Sequence, residues 1–342
     1  MEKKIYRVLK YVLLFFCILF LYKAFVPRSY SSPPLWRRAG TLFWKLSTGS
    51  RIGYTLLRAK GPRIKQPIIY LHGGPGGHIR EEGIDVLRRL SENGYNVYLY
   101  DQVGSGQSDR LKNIKEYTVE RHVRDLREII SRTGSQKVIL IGQSWGAILA
   151  VSFVAKYPAL VDKLILTCPG PIFPVRQELA NIPAPDSFHL KDPLFTNAMG
   201  NKKLRNLRTD VVKLLATTFH IKLATDREAD MFQTALDYEV DKSAVCDTNK
   251  FLKAEAGSGF YAQIMTFKDL QKTRDFRSKL QNLAIPVLVM KGQCDNQKWG
   301  FTKEYLDIFP NHQLVIVPNA GHFISVEQPE VYIKTIVKFL DH

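Results

Sequence analysis

Gly142, Ser144 and Gly146 stand at G-x-S-x-G spacing between one apolar run, Val138 to Ile141, and another, Ala147 to Ala150. Strand, sharp turn and helix is the context in which that motif holds a serine nucleophile at the tip of a strained turn. Small residues two before and two after the serine suit such a turn, because the chain folds back without room for side chains. The amides that open the following helix then point at whatever the serine attacks, and an oxyanion can be held there. A glycine-rich loop with an incidental serine is the competing reading. The choice depends on whether the chain also supplies a base, an acid and an oxyanion hole.

A serine needs a base in hydrogen-bond reach, and the base needs an acid to fix its tautomer and stabilise its cation. His322 follows the last apolar run in Pro318-Asn-Ala-Gly-His-Phe, and Asp295 follows the preceding run in Gly292-Gln-Cys-Asp. Loops at the carboxyl ends of neighbouring strands share one sheet edge, so Ser144, Asp295 and His322 are expected to converge, in the chain order Ser, Asp, His. The other histidines (His78, His122, His189, His220, His312 and His342) are assigned structural or surface positions. His72-Gly-Gly-Pro-Gly-Gly77 follows an earlier strand and lets backbone amides approach a reacting carbonyl. No G-K-[ST] follows it, which argues against a phosphate loop. The Gly74 and Trp145 amides are the expected oxyanion hole. Asp101-Gln-Val-Gly-Ser-Gly-Gln-Ser108 lacks the third glycine of a dinucleotide turn and reads as a tight supporting loop.

These loops must be carried by a sheet. Gln66 to Leu71, Tyr95 to Tyr100, Val138 to Ile141 and Leu164 to Thr167 read as strands, with a strand pair before them over Thr41 to Ala59. Helical spacing at Ile84 to Leu90, at Val119 to Ile130 and after the elbow to Tyr157 alternates with them. That rhythm predicts an α/β fold with a mostly parallel sheet flanked by helices. It breaks over 170–284, where helical stretches at Val211–Leu215, Arg227–Leu236 and Lys268–Leu280 replace apolar strands. It resumes at Ile285 to Met290 and Gln313 to Val317 and closes on a helix from Pro329 to Leu340. The expected organisation is a core of 41–169 and 285–342 with an inserted helical cap, 170–284.

The 342 residues carry a formal charge of +17. Residues 1–40 hold eight Lys/Arg against one acid, a net +7, and the rest is spread without a basic stripe interleaved with aromatics. Nucleic-acid binding is therefore not expected. Tyr11 to Tyr22 is an apolar run that, extended to Ile5–Val26 with its basic residues snorkelling, is long enough to span a bilayer. No convincing small-x-small cleavage site follows, which favours a retained anchor over 1–26, with a cleaved signal or an apolar arm as alternatives. Basic residues on both sides leave its orientation open. Residues 27–40 read as a solvated tether whose Arg37 and Arg38 lie on anionic headgroups. Among four cysteines, Cys168 and Cys294 both end strands and are taken as separate buried thiols, with a Cys168–Cys294 pair as the alternative.

Together the His72–Gly77, Asp101–Ser108, Gly142–Gly146, Gly292–Asp295 and Ala320–His322 motifs resemble the proline iminopeptidase branch of the α/β-hydrolase serine peptidases. The resemblance covers about residues 41–169 and 285–342, and implies an eight-stranded sheet with a helical cap. It implies release of an N-terminal residue from short peptides, with cap carboxylates binding the free amine. Glu239 and Glu255 are the candidates for that role. The branch's Trp-x-x-Trp-Glu cap signature is absent, since no tryptophan lies between Trp145 and Trp299. The expected enzyme is a serine hydrolase needing no metal or other cofactor. Its substrate is a short peptide, or alternatively a carboxylic or acyl-lipid ester; a non-catalytic ligand-binding role is the third possibility. Nothing in the sequence fixes the oligomeric state.

Overall fold

Residues 2–35, 37–61, 64–250 and 254–341 are described by a computed structural model. Among them, eight strands, β1 (Leu42–Lys45), β2 (Arg51–Leu57), β3 (Ile68–Leu71), β4 (Val97–Tyr100), β5 (Val138–Gln143), β6 (Val161–Thr167), β7 (Val287–Gly292) and β8 (His312–Val317), form one sheet. Its order is β1-β2-β4-β3-β5-β6-β7-β8. β2 runs antiparallel to β1 and β4, and every other pairing is parallel. Val138–Ile141 of β5 and Val287–Met290 of β7 are buried apolar runs because helices cover both faces.

Ahead of the sheet stands α1 (Glu2–Phe25). Ile84, Leu87 and Leu90 of α2 (Glu81–Glu92) pack on one face with Ile333, Ile336 and Phe339 from the chain's last helix. On the other face lie α3 (Val119–Arg132) and α4 (Trp145–Val154). All ten residues of α4 are buried. It is apolar on every side because it is enclosed between the sheet and α3. Between β6 and β7 the chain forms α5 (Asn197–Leu204), α6 (Leu207–Leu214), a π turn (Leu215–Phe219), α7 (Asp226–Val240) and α8 (Phe260–Leu270). Then follow α9 (Trp299–Ile308), α10 (Ile324–Glu327) and α11 (Pro329–Leu340).

Three expectations are corrected. The helix expected over Lys268–Leu280 lies earlier, at Phe260–Leu270, because the side chains that bury are Phe260, Tyr261, Ala262 and Met265, upstream of the basic stretch. The elbow helix stops at Val154, before the Pro158 that was expected to end it. The segment after α1 is not a free tether. Tyr30 packs edge-on against Phe232 with ring centroids 5.2 Å apart, and Arg38 is nearly buried, donating to Asp101 Oδ2 at 3.1 Å. Arg38 therefore compensates a fully buried carboxylate and is not available to headgroups.

Glycine is required where α4 crosses the sheet. A Cβ at Gly146 would collide with the Leu71 carbonyl oxygen of β3, and one at Gly142 would come within 2.5 Å of the Gly146 carbonyl oxygen. Both obstacles are backbone and cannot rotate away. Gly146→Ala is expected to lower stability by about 1–3 kcal/mol, the usual cost of overpacking a core, measured as a shift of the denaturation midpoint without a change in slope. An unchanged midpoint would contradict the close approach.

Candidate active site

Ser144 sits between β5 and α4 with φ 55° and ψ −115°, a conformation costly for a non-glycine residue. It is held by its own backbone: Ser144 N–H donates to the Thr167 carbonyl at 3.0 Å, and its carbonyl accepts from Ala147 N–H at 3.0 Å. The strain is thus fixed by the β5–β6 ladder on one side and the first turn of α4 on the other. The side chain faces a cavity of about 1450 Å³ that His322 also lines.

Asp295 follows β7 and His322 follows β8, as expected from their motifs. His322 Nδ1 and Asp295 Oδ1 are 2.7 Å apart, which leaves Nε2 as the nitrogen free to act as base. The second Asp295 oxygen accepts from Lys291 Nζ at 2.8 Å, and Lys291, also buried, donates to the Gln297 carbonyl at 2.7 Å. Burial pushes the Asp295 carboxyl up, but the Lys291 ammonium and then the His322 ring outweigh it and hold the group well below the usual carboxylate range. Asp295 is therefore an anion at any working pH. Lys291, invisible in the motif search, is signalled only by its position four residues before the acid.

His322 is held from the cap as well as the core. His322 N–H donates to the Ala244 carbonyl at 2.7 Å. Glu327, buried, accepts from Gly321 N–H at 2.5 Å and from Cys246 and Asp247 N–H at 2.8 and 2.9 Å. Cys246 is joined to Cys294 by a disulfide with the Cα atoms 5.2 Å apart, so Cys294 is not the free thiol expected. Cys168 is free and buried. Its sulfur lies within 4.8 Å of ligand atoms of Asp295 and His322. That trio makes a poor cation site, because both Asp295 oxygens are engaged and one engages an ammonium.

Gly73, Gly74 and Trp145 line the cavity beside Ser144, and a Cβ on Gly73 would come within 3.2 Å of the Ser144 Cβ. Gln102 couples the two sides of this candidate oxyanion hole. Its side chain donates to the His72 carbonyl at 3.0 Å and accepts from Trp145 Nε1 at 2.7 Å. Its backbone N–H donates to His72 Nε2 at 2.9 Å, placing the ring proton on Nδ1, which faces the Gly73 carbonyl at 2.8 Å. Burial lowers the His72 pKa to about 4, so the ring is a neutral strut. Asp101 fixes the same loop, accepting from Ile79 N–H at 2.7 Å and Gln107 N–H at 2.9 Å. The Asp101–Ser108 stretch is the supporting loop its sequence indicated.

Of the two carboxylates expected to face an amine, Glu239 does not reach the cavity. It points outward, accepting from Lys203 at 2.7 Å and Lys242 at 2.8 Å. Glu255 does line the cavity, with His78 Nε2 3.5 Å away, so His78 is a pocket residue and not a surface one. The carboxylates that sequence reasoning missed are Asp237 and Asp241, both lining the cavity. Their i,i+4 spacing from α7 into its 3-10 continuation puts them on one face, whereas Glu239, midway, faces away. Burial, eased by hydrogen bonds from Ser258 and Gln233, raises the Asp237 pKa. Burial and then the Asp237 charge push Asp241 up to about 8. The remaining histidines take structural positions: His122 is buried against Thr266, His189 and His220 occupy left-handed turns and His312 faces the Phe309 carbonyl. His342 lies outside the described residues.

A family model described as alpha/beta hydrolase fold matches residues 66–329. A protein of Lactobacillus acidophilus named proline iminopeptidase is 36% identical over 306 residues, 85% of this chain and 96% of its own. Another of that name, from Saccharolobus solfataricus, is 25% identical over 304 residues, 87% of this chain and 91% of its own. Among solved structures, an esterase from Exiguobacterium antarcticum superposes with a TM-score of 0.59 at 20% identity, covering 88% of this chain and 99% of its own.

Lys291 opposes part of the Asp295 charge that the base experiences. In Lys291→Met the rate at the optimum is expected to fall about tenfold or more, because Asp295 loses its second partner and with it the fixed position from which it orients the His322 ring. Lys291→Arg should recover most of that loss. A wild-type rate in Lys291→Met would contradict this arrangement.

Proposed function

The chain belongs to the α/β-hydrolase fold family, and from that premise we propose a serine aminopeptidase of the proline iminopeptidase type that removes the N-terminal residue of short peptides. Ser144 Oγ attacks the first peptide carbonyl while His322 Nε2 takes its proton. The developing oxyanion is held by the Gly74 and Trp145 amides, and one such donor is worth about 2.7–4 kcal/mol of barrier. His322 returns the proton to the departing amine, and Asp295 keeps the ring oriented and stabilises its cation. Water, deprotonated by His322, then attacks the acyl carbon, the bond to Ser144 Oγ breaks, and His322 returns the proton to that oxygen as the free amino acid leaves.

The observation that carries the peptidase reading is the pair Asp237 and Asp241 in the same cavity as Ser144, with Glu255 beside them. The α-amine of a peptide has a pKa of about 8 and is a cation below it. Burial raises the Asp237 and Asp241 pKa values even though the Arg80 guanidinium in the same lining already opposes it there and at Glu255. Crowded, desolvated carboxylates are stabilised further by a second cation. The 3-10 turn that continues α7 runs from Asp241 to Ala244, whose carbonyl receives the His322 amide. The amine site is therefore one short segment from the base, which suits cleavage after the first residue and not deeper in a peptide. The relatives from Lactobacillus acidophilus and Saccharolobus solfataricus, both named proline iminopeptidase, support this reading. A second reading, hydrolysis of acyl esters, is favoured by the apolar part of the lining, where Ile148, Phe173, Ile264 and Phe267 leave room for a chain.

We further propose that α1 is a retained membrane anchor. At 24 residues it is about 36 Å long, against a hydrocarbon core of about 30 Å. Its most apolar window has a mean hydropathy of 2.1 and is 6% buried. Its last turn is built into the cap, as a cleaved leader would not be.

Comparison of Pro-, Ala- and Leu-anilides carrying a free amine with p-nitrophenyl acyl esters tests the substrate class. The expected result is anilide release that falls steeply when the amine is acetylated. Robust ester cleavage with no release from any free-amine anilide would reject the peptidase reading in favour of the second. The same panel carries a pH test. Burial and mutual repulsion keep a proton on the Asp237–Asp241 pair, with Asp241 pushed up to about 8, and the pair must shed it to hold an ammonium. KM for the anilides should therefore fall as pH rises from 6 towards 8, and Asp241→Asn should raise KM and flatten that slope while ester kinetics stay unchanged. A slope that persists in Asp241→Asn would count against this amine site.

A further inference from the structure

The N-terminal helix is fastened to the cap and not to the sheet. Arg208 Nη1, from α6, donates to the Ala24 carbonyl at 3.2 Å, and the Arg28 amide donates to Glu228 Oε1 of α7 at 2.9 Å. Arg208 and Glu228 are buried and doubly hydrogen-bonded to one another. Asn206 Nδ2 donates to the Tyr30 hydroxyl at 3.3 Å. An apolar helix long enough to cross a bilayer thus emerges from the helices that cover the cavity.

The same α6 runs from this attachment to Leu214, 56% exposed, and the chain continues through Phe219, 60% exposed, and Ile221, 51% exposed. Phe267 of α8, 41% exposed, lines the same cavity as Leu214, and Lys268 beside it donates to the Thr217 carbonyl of the π turn, so α8 and the turn are adjacent there. These are large apolar side chains in water, and contiguous apolar exposure of that kind marks an interaction surface. Leu214 and Phe267 also line the cavity, together with Lys213, Thr217 and Lys268, so these two stand on its rim, while Phe219 and Ile221 continue the exposed apolar surface along the chain. Its charged neighbours are mainly basic. Lys213 and Lys272 are exposed, and desolvation together with the charges of Lys268, Lys115 and Lys272 lowers the pKa of His220 within the turn. Apolar side chains bordered by lysines suit a bilayer with anionic headgroups.

We infer that Leu214 and Phe267 on the cavity rim, with Phe219 and Ile221 beyond it, are a membrane-contact surface, seated in an anionic leaflet at the point where α1 enters it, so that the cavity opens along the bilayer surface. The inference rests on α1 being an anchor. Continuity carries it: one eight-residue helix holds the anchor at its start and the exposed rim at its end. Substrates that partition to the interface would reach Ser144 without crossing bulk water, whether short apolar peptides or acyl esters.

The test uses the full chain reconstituted in phosphatidylcholine vesicles with and without phosphatidylserine. Leu214→Trp and Phe219→Trp report this surface, and Lys137→Trp, an exposed position just before β5 at the opposite sheet edge, is the control. After subtraction of the parent signal, brominated-acyl lipids should quench these two tryptophans at least twofold more than the control, and more strongly with phosphatidylserine present. Contact-surface tryptophans quenched no more than Lys137→Trp in protein that floats with vesicles would overturn the inference while leaving the anchor standing. The same would follow if a second copy of the chain covered the surface. Protein that does not float would overturn both.

Discussion

The buried carboxylate of Asp295 is the constraint on which the rest depends. An unpaired anion in the interior costs several kcal/mol, and here each oxygen has its own charged or polar partner, His322 on one and Lys291 on the other. Those partners tie the ends of β7 and β8 together at the edge where Ser144 emerges from β5. The disulfide at the preceding residue, Cys294, and the Glu327 carboxylate then join that edge to the start of the cap's return segment. The acid, the base and the roof of the cavity are in this way parts of one connected network.

A second network holds the other wall. Gln102 and neutral His72 connect the glycine loop to Trp145, and Asp101 anchors both with help from Arg38. The serine's strained backbone is tolerable because α4 lies close against β3 through Gly146, and both flanks of the turn are hydrogen-bonded. Rigid backbone is what aims oxyanion donors before the reaction begins. The cap adds what the core lacks, a group of acidic side chains and an apolar mouth.

The chemistry was legible in the sequence because it is encoded locally. Ser144, Asp295 and His322 each sit in a short motif at the end of an apolar run, and strand order follows from the alternation of periods. The cap was much less so, because its choices are made by distant partners. Glu239 and Asp237 differ by two residues on one helix, and only the positions of Lys203, Lys242 and the cavity decide which carboxylate faces inward. Arg38 looked like a headgroup ligand until Asp101 was seen beneath it. Cys246 and Cys294 pair because the cap folds back over the acid loop, a contact between residues 48 apart that no spacing rule announces.

The central claim is that Ser144 is an activated nucleophile in this cavity. It is tested most directly by treating the folded chain with a fluorophosphonate and locating the adduct by peptide mass spectrometry. The account predicts one stoichiometric adduct on Ser144, lost in Ser144→Ala and strongly slowed in His322→Ala. A folded wild-type protein that stays unlabelled, or is labelled at another residue, would contradict it and would leave the cavity as a binding site without this chemistry.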